Sequence, residues 1–526
     1  MSAKVSIAMI VRDEADMAPG FIQSVHGLWD ELIVVDTGST DDTVEIFAAA
    51  GARVFHHAWT DDFSEARNVS LSHATGDWVL VLDADERLSP EFIKAFLAKC
   101  DDESVGAVTV RVSNPLPYGH RRESWVLRAF RRDDQVRYRH AIHEDCSSEV
   151  ARMLGRTGRT IERIEAPIDH LGYVRSRAAA KEKKQRDLGL LEKCLRADPH
   201  DFYSHLKVLE LARFWRDSVL WNDAARRSIG LLDEAGPEVL RGVPWAGELV
   251  ALIAEGLFRA DGQVGLLFLD RWEPFLIPGA PFFHRRAQHH EALGAMDKAG
   301  ADFARCLELG ELLGDHQLTS VRPRLGLARL ALMKGAATEA LAHVDEALEV
   351  QPRDPEALVA AAALRLQLEG ASGLASWVAA HELRHGVSAE LSWAVGDAAL
   401  TLGNVSVAIP PLRRAAGVPP SGPAALRLAQ ALLADGQLTA AEALTRTLLA
   451  GDPEAGLGVL VFDLISGQDT ALELELTPET ANASMRHWVD ALMRSKNVEW
   501  ITTMRRNAEA VGEAFPWLTE YLRRAG

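Results

Sequence analysis

Cysteine is scarce in this chain: of 526 residues only Cys100, Cys146, Cys194 and Cys306 are cysteine. They lie far apart and form no C-x-x-C pair, so the sequence indicates neither a disulfide framework nor a cysteine zinc site. No stretch approaches 18 uncharged apolar residues, and the apolar run at the N-terminus is too short for a signal sequence. We therefore expect a cytoplasmic protein without a membrane span.

Basic charge is also in deficit. The chain has 57 Lys+Arg against 75 Asp+Glu, which gives a formal net charge of −18. This balance disfavours a sequence-independent grip on nucleic acid or anionic lipid, so we expect no nucleic-acid partner. At 48% hydrophobic and 25% charged residues, the composition is that of an ordinary globular protein. At roughly 150 residues per domain, the length suggests two to four domains.

Up to about residue 175, apolar runs alternate with amphipathic segments. The predicted strands are Val5–Val11, Glu31–Asp36 and Trp78–Leu82, and the predicted helices are Phe21–Trp29, Thr43–Ala50 and Ser64–Ala74. This alternation is typical of a mostly parallel α/β sheet that is covered on both faces. Ligands of such sheets lie beyond the carboxyl ends of the strands, so the polar residues that follow each strand are the candidates for a site.

From about residue 176 the chain is rich in Ala and Leu at helical spacing, and a repeat is visible. The repeated positions are Gly335, Gly370, Gly403 and Gly436; an alanine five residues after each (Ala340, Ala375, Ala408, Ala441); and a proline seventeen after three of them (Pro352, Pro420, Pro453). Gly262, Gly294 and Ala299 suggest weaker copies. A period near 34 with these residues is typical of tetratricopeptide repeats, clearest over residues 322–455.

The third predicted strand ends in an Asp-x-Asp pair, Asp83 and Asp85. Carboxylates two residues apart on an extended backbone project to the same side. At the end of a strand they can bind Mg²⁺ or Mn²⁺ together with diphosphate oxygens. The pair alone is a weak signal, because paired acids are common where loops begin.

Three further segments accompany this pair: MIVRDE (Met9–Glu14), VVDTGSTD (Val34–Asp41) and DDFSEARNVSLSHATGDWVLVLDADERL (Asp61–Leu88). In this order they resemble the family 2 glycosyltransferases of the GT-A fold. The chain is most similar to the branch that carries tetratricopeptide repeats behind the catalytic domain, to which the sublancin-type peptide S-glycosyltransferases are related. The resemblance covers about the first 175 residues by motif and the remainder by architecture.

The resemblance implies a domain order and roles for single residues. The expected order is a GT-A domain over residues 1–175, a connector helix over 176–196, and a helical repeat region with a C-terminal cap over 197–526. The implied nucleotide-sugar-binding residues are Val11, Asp36 (base), Arg67 and Asn68 (nucleotide or phosphates), Asp83 (ribose or metal) and Ala84. The implied metal ligands are Asp85, Asp83 and His170, with Mn²⁺ or Mg²⁺ as the cofactor.

Two of these residues also have a structural interpretation. Asp36 could cap a turn with residues 37–39, where acids are favoured in any case. Arg67 could form a surface ion pair with Asp61 or Asp62, which typically contributes little.

A second group of candidates lies later in the first domain, in the motif Ile142-His143-Glu144 that also resembles this branch. Inverting transfer needs a general base, and a loop carboxylate can supply it. Glu144 is the favoured base, Asp145 is the alternative, and His143 would orient the base or touch the acceptor; Glu144 could instead cap a helix. A basic cluster would neutralise the diphosphate or form a solvated strand face: Arg121, Arg122, Arg128, Arg131, Arg132, Arg137 and Arg139.

Three functional hypotheses follow. The first is a metal-dependent inverting glycosyltransferase that uses a nucleotide sugar, UDP-linked by resemblance, and acts on a peptide or protein recruited by the repeats. The second keeps this chemistry for a polysaccharide or lipid-linked acceptor. The third is a non-catalytic scaffold with a degenerate transferase domain. A homodimer is compatible with each of them.

Overall fold

The structure is a computed structural model that describes residues 3–115, 121–171, 177–309, 316–449, 451–468, 476, 478–512 and 514–524. The chain divides into two compact units, residues 1–323 and 324–526. The expected boundary near residue 175 lies outside the described residues. The division into a catalytic domain, a connector and a repeat region therefore stays a prediction.

The first unit contains one mixed sheet with helices between its strands. The strands are β1 (Val5–Val11), β2 (Glu31–Asp36), β3 (Arg53–His56), β4 (Trp78–Val81), β5 (Glu86–Leu88), β6 (Val105–Pro115), β7 (Arg121–Arg131) and β8 (Thr160–His170). The helices are α1 (Ala18–Ser24), α2 (Thr43–Ala49), α3 (Phe63–Ser72), α4 (Pro90–Cys100) and α5 (Ser147–Thr157).

The strand order is β3-β2-β1-β4-β7-β6-β8-β5. The first four strands of this order are parallel to one another. Beyond β4 the sheet is mixed: β7 is antiparallel to both β4 and β6, β6 is parallel to β8, and β8 is antiparallel to β5. The predicted α/β fold class is confirmed, and its parallel half is the part that the sequence pattern indicated.

The strands β1, β2 and β4 are buried on both faces, which explains why they are mostly apolar, whereas the edge strand β3 is partly exposed. Val34 of β2 belongs to one apolar cluster, together with Phe21 of α1 and Phe92 of α4. Its neighbour Ile33 belongs to another, with Val150 of α5. Successive strand residues point to opposite faces. Burying each large apolar side chain contributes roughly 1.5–3 kcal/mol.

Helices follow the sheet in the first unit. They are α6 (Arg177–Ala197), α7 (Phe202–Phe214), α8 (Ser218–Glu234), α9 (Pro237–Arg241), α10 (Ala246–Ala260), α11 (Gly262–Trp272), α12 (Ala280–Ala292) and α13 (Met296–Leu309), with 3₁₀ turns at Glu273–Phe275 and His316–Thr319.

The chain continues with further helices to its end. They are α14 (Val321–Met333), α15 (Ala337–Val350), α16 (Pro355–Leu368), α17 (Gly370–His385), α18 (Ala389–Thr401), α19 (Val405–Ala416), α20 (Gly422–Ala434), α21 (Leu438–Leu448), α22 (Ala455–Ser466), α23 (Pro478–Ser495), α24 (Val498–Asn507) and α25 (Pro516–Arg524), with a 3₁₀ turn at Ala508–Val511. Within the described residues, no helix is both long enough and apolar enough to cross a membrane.

The repeat glycines lie at the turns inside successive helix pairs. Gly335, Gly370, Gly403 and Gly436 all have positive φ, as does Gly294 of the weaker copy. Glycine adopts this backbone conformation without the steric cost that a Cβ brings. The period near 34 therefore marks helix–turn–helix units, as the sequence predicted.

The alanines of the repeat pack as expected in three of the four copies. Ala340, Ala408 and Ala441 are fully buried. Ala375 is exposed, so its predicted packing role is wrong. The reason is that α17 begins at Gly370 itself, whereas the other second helices begin two residues after their glycine. Leu374 takes the buried position in this copy.

Candidate functional site

The carboxyl ends of three parallel strands meet at one edge of the sheet. Val11, the last residue of β1, pairs with Asp36, the last residue of β2. On the other side of β1, Ala8 pairs with Val81 at the end of β4. The candidate residues of all three loops therefore begin at the same edge.

Helix α3 brings a buried arginine to this edge. The helix begins at Phe63, and the carboxylate of the preceding Asp62 caps it by accepting a 3.0 Å hydrogen bond from the backbone N–H of Glu65. Arg67 lies one turn later and is only 4% exposed. Its side chain therefore does not form the surface ion pair that was the alternative interpretation.

Two arginines and three acids form one connected network at the end of β4. Arg67 Nη2 contacts Asp83 Oδ1, and Arg67 Nε donates to Glu144 Oε1 at 3.2 Å. Arg128 of β7 donates from Nη2 to Asp83 Oδ2 at 3.3 Å and to Glu86 Oε1 at 2.5 Å. Both oxygens of Asp83 thus accept from guanidinium groups, and the network joins a helix, two strands and two loops that are distant in sequence.

The acids of this network differ in their affinity for a proton. Burial raises the pKa of Asp83, but the charges of Arg67 and Arg128 outweigh it and hold the pKa far below its usual range. Burial also raises the pKa of Glu86, which is fully buried, and here the charge of Arg128 offsets burial only in part. Asp83 is therefore the fixed anion of the network.

The network retains donors that the protein does not use. Within the described residues, the buried Arg67 Nη1 and Arg128 Nε atoms have no hydrogen-bond partner. A buried N–H without a partner costs free energy, roughly 1–3 kcal/mol or more for a charged group. Planar guanidinium groups bind phosphate oxygens well, so an anionic ligand at this edge would satisfy these donors.

Asp85 lies beside the histidine proposed as its partner in metal binding. His170 Nε2 is 3.2 Å from Asp85 Oδ2, and β5 pairs with β8 so that Glu86 lies opposite His170. A carboxylate oxygen suits Mn²⁺ or Mg²⁺, and an imidazole nitrogen is a common ligand of metal ions in general. Among the described residues, no group of three or more such side chains could hold a metal ion. An ion held by this pair would need its other ligands from water and a bound diphosphate, and the metal site stays a prediction.

Asp36 serves as the cap of its own turn. Its carboxylate accepts hydrogen bonds from the backbone N–H groups of Gly38 and Ser39 at 3.1 Å, and His56 Nδ1 lies 3.3 Å away. Burial raises the pKa of Asp36, but these hydrogen bonds outweigh it and lower the pKa overall. The turn-capping interpretation describes this geometry, and the predicted contact with a nucleotide base stays a prediction.

Asn68 uses its side chain to fix a neighbouring segment. Its Nδ2 donates to the carbonyl of Tyr138 at 2.9 Å, and its Oδ1 accepts from the Tyr138 N–H at 2.8 Å. Val11 and Ala84 are buried, and their carbonyls accept from Thr37 and Arg87 respectively. Roles for these three residues in nucleotide binding stay predictions.

The structure separates the three candidates of the second motif. Glu144 faces the network through Arg67. Asp145 instead accepts from the backbone N–H and the hydroxyl of Ser147 at the start of α5, at 3.1 and 2.6 Å. His143 is exposed, with φ +56°. Of the two carboxylates, only Glu144 is connected to the network, so the geometry favours it as the candidate base.

The other arginines of the basic cluster lie elsewhere. Arg131 stacks on Trp78, whereas Arg132 and Arg139 pair with Asp134 and Glu149. Arg137 donates to the neighbouring carbonyl of Val136. The side chains of Arg121 and Arg122 lie outside the described residues. Only Arg128 of the described members joins the network.

Sequence reasoning missed two residues next to the candidates. Glu86 directly follows the Asp-x-Asp pair, and its place on a short buried strand was a usable signal. Tyr203 of α7 donates a 2.5 Å hydrogen bond to the carbonyl of His143. No local sequence pattern indicates this contact, because it joins α7 to a loop 60 residues earlier in the chain.

Residues 6–153 match the family model described as glycosyl transferase family 2. The recognition of a family 2 glycosyltransferase domain is therefore confirmed for this part of the chain. A TPR repeat-containing protein of Synechococcus elongatus is 39% identical over 207 residues, which are 38% of this chain and 50% of that protein. The SPbeta prophage-derived glycosyltransferase SunS of Bacillus subtilis is 28% identical over 201 residues, 38% of this chain and 46% of that protein. The chain thus spans about half the length of these curated relatives.

Solved structures include similar chains at low identity. Glucosyl-3-phosphoglycerate synthase of Mycobacterium tuberculosis, with Mn²⁺, UDP and glucosyl-3-phosphoglycerate, is 21% identical with a TM-score of 0.27, covering 36% of this chain and 78% of that one. The mannosyltransferase PcManGT of Pyrobaculum calidifontis, with GDP-Man and Mn²⁺, is 19% identical with a TM-score of 0.28, covering 51% and 86%. Likeness at this level assigns neither donor nor acceptor.

Proposed function

We propose that this chain is a metal-dependent inverting glycosyltransferase that takes a sugar from a nucleotide-sugar donor. A UDP-linked sugar is the favoured donor. One observation carries the proposal. Within the described residues, the Asp85–His170 pair and the guanidinium N–H groups of Arg67 and Arg128 that have no partner are held by connected elements of the mixed sheet, where its parallel strands have their carboxyl ends. The family 2 match over residues 6–153 supports the same chemistry.

The leaving group of this reaction is a nucleoside diphosphate, whose negative charge grows as the bond to the sugar breaks. A divalent ion held by Asp85 and His170 would neutralise part of that charge. Arg67 and Arg128 would add hydrogen bonds from donors that the folded protein already fixes in place. Because Asp83 accepts from both guanidinium groups, it orients them before the donor binds.

The acceptor must lose a proton while it attacks the sugar, and Glu144 is the proposed base. Its salt bridge with Arg67 holds the carboxylate in a fixed place beside the network. Asp145 is less suited to this step, since its oxygens cap the start of α5. Attack on the face opposite the leaving diphosphate would invert the configuration at the anomeric carbon.

A peptide or protein is the proposed acceptor. Helix–turn–helix repeats form extended surfaces that suit elongated partners, and SunS, whose name identifies it as a glycosyltransferase, is among the relatives.

We also place the protein in the cytoplasm, since its four cysteines are all free, as is typical of a reducing compartment.

A binding screen tests the proposal. Melting temperatures are measured for the full chain with UDP-glucose, UDP-N-acetylglucosamine, GDP-mannose or dTDP-glucose, each with Mn²⁺, with Mg²⁺ and with EDTA. A ligand at 100 times its dissociation constant stabilises the folded state by about 2.7 kcal/mol. We expect at least one nucleotide sugar to raise the melting temperature only when metal is present. Absence of any shift would favour the non-catalytic scaffold.

A further inference from the structure

The candidate base sits on a short closed loop, residues 139–145, which we call the Glu144 loop. Arg139 and Asp145 close it by exchanging two backbone hydrogen bonds of 2.9 and 3.1 Å. Within it, His140 and His143 have φ of +71° and +56°. Residues other than glycine adopt this conformation rarely, and it persists where the surroundings impose it.

The sheet domain holds one side of this loop. The backbone N–H of Phe63, at the start of α3, donates to the carbonyl of Ala141 at 2.8 Å. Arg67, on the same helix, donates to the Glu144 carboxylate. These two contacts alone leave the peptide between His143 and Glu144 without support.

The helices hold the other side. The hydroxyl of Tyr203 donates to the carbonyl of His143 at 2.5 Å. The Tyr203 ring stacks on His140, with ring centres 3.7 Å apart and planes 18° from parallel. Trp245, directly before α10, contacts both rings edge-on. Ile142 is buried in the apolar cluster that the helices form.

Tyr203 is itself fixed in position. Asp201 caps α7 by accepting a 3.1 Å hydrogen bond from the backbone N–H of Tyr203. The Tyr203 side chain is buried, and burial raises the pKa of its phenol well above the ordinary value. The hydroxyl therefore keeps its proton and remains a donor throughout the neutral range.

We propose that Tyr203 is a positioning residue for Glu144, so that the first helices after the connector complete the catalytic site rather than only recruiting an acceptor. The inference rests on the proposed function of Glu144 as the base. Tyr203 donates to the carbonyl of His143, directly before Glu144, and stacks on the ring of His140, so it contacts both loop residues that have positive φ. Removing its hydroxyl frees that peptide, and the carboxylate loses its fixed distance to the attacking acceptor atom.

Tyr203→Phe tests this inference, because it removes the hydroxyl and keeps the ring that stacks on His140. The release of nucleoside diphosphate is measured with the donors and metals of the binding screen, with water as the acceptor. We expect kcat to fall about 3- to 10-fold, the effect of losing one neutral hydrogen bond. The dissociation constant of UDP with Mn²⁺ should stay within about twofold, since the proposed donor site lies on α3, β7, β8 and the loop after β4.

Tyr521→Phe is the matched control. It also removes a hydroxyl that is hydrogen-bonded, here to Asp490 Oδ1 at 2.6 Å, but on the last helix of the second unit. We expect no change in kcat. If Tyr203→Phe melts more than about 10 °C below the parent, His140→Ala is measured instead, because it removes the other ring of the stack. This variant must also lower kcat and leave the dissociation constant of UDP nearly unchanged.

The Glu144→Gln variant distinguishes a positioning role of Tyr203 from a general structural role. If Tyr203 acts through Glu144, then adding Tyr203→Phe to Glu144→Gln causes no further loss of kcat. Losses that multiply in the double variant overturn the inference, as does wild-type kcat in Tyr203→Phe. A parent chain that turns over no donor, or an unimpaired Glu144→Gln, instead removes the proposed function and with it this inference.

Discussion

Glu144 lies 77 positions after Arg67 in the sequence, yet its Oε1 accepts a 3.2 Å hydrogen bond from the Nε of that arginine. The same guanidinium group contacts Asp83 at the end of β4. One buried cation therefore connects the proposed base with the strand end proposed to face the donor.

Replacing Glu144 by glutamine should lower kcat strongly and leave donor binding nearly unchanged. The amide keeps the shape of the carboxylate but cannot accept the acceptor's proton, and a positioned base contributes on the order of 10²–10⁴-fold. Turnover and UDP affinity are measured on the same variant, with Glu165→Gln on the exposed side of β8 as control. Parent-like turnover would exclude Glu144 as the base, and lost UDP affinity would make it a binding residue.

Replacing Arg67 by lysine should weaken both stability and donor binding. A lysine keeps the charge but has a single nitrogen, which cannot span Asp83 and Glu144 as the Nη2 and Nε atoms of the guanidinium group do. We expect a loss of about 1–3 kcal/mol in the free energy of unfolding, the cost of leaving buried polar groups without partners. Denaturant unfolding and calorimetric titration with UDP measure the two effects. The control is Arg226→Lys, since Arg226 is 79% exposed in its pair with Asp223; equal behaviour of the two variants would argue against the network.

Asp36→Asn tests the turn-capping role through its pH dependence. The folded-state pKa of Asp36 is lowered, so its carboxylate stabilises the fold above the unfolded-state pKa, about 3.9, and this contribution is lost as the pH falls through the folded-state value. We expect the variant to be less stable by about 1–2 kcal/mol at pH 7. The difference should shrink steadily below pH 4. A difference that is independent of pH would show that the carboxylate charge does not hold this turn.

The weaker repeat copy can be tested by a pair of glycine substitutions in the first unit. Gly294 has φ +78° at the turn between α12 and α13, whereas Gly230 lies inside α8; an added Cβ meets no atom within 4 Å at either position. Backbone conformation alone should therefore decide the outcome. We expect Gly294→Ala to lower the free energy of unfolding by roughly 1 kcal/mol and Gly230→Ala to raise it by up to about 1 kcal/mol. Equal effects would mean that the turn at Gly294 does not require glycine.

The parts of the fold that local sequence determines could be predicted closely. The sequence predicts β1 and β2 to the residue, because charged residues bound their apolar runs at both ends. α1 begins and ends earlier than the predicted Phe21–Trp29. Pro19 suits the first turn of a helix, and Gly27, with φ +79°, lies in the left-handed conformation that follows many helices.

The site could be predicted only in part, because its connections are long-range. The Asp-x-Asp pair and the motif around Arg67 are local and were found. The sequence could not decide between Glu144 and Asp145 as the base. They differ because Asp145 accepts hydrogen bonds at the start of α5 whereas Glu144 accepts one from Arg67. The contact of Tyr203 with His143 depends on the packing of α7 against a loop of the sheet domain, which no spacing in the sequence encodes.

The most direct test of the central claim is the rate of nucleoside diphosphate release as a function of Mn²⁺ concentration. The parent chain is compared with Asp85→Asn and with Asp134→Asn, whose aspartate is exposed and pairs only at the surface. We predict turnover that requires metal in the parent and in Asp134→Asn, and turnover reduced about 100-fold or more in Asp85→Asn. Unchanged turnover and metal dependence in Asp85→Asn would contradict the assignment of this strand edge as the donor and metal site.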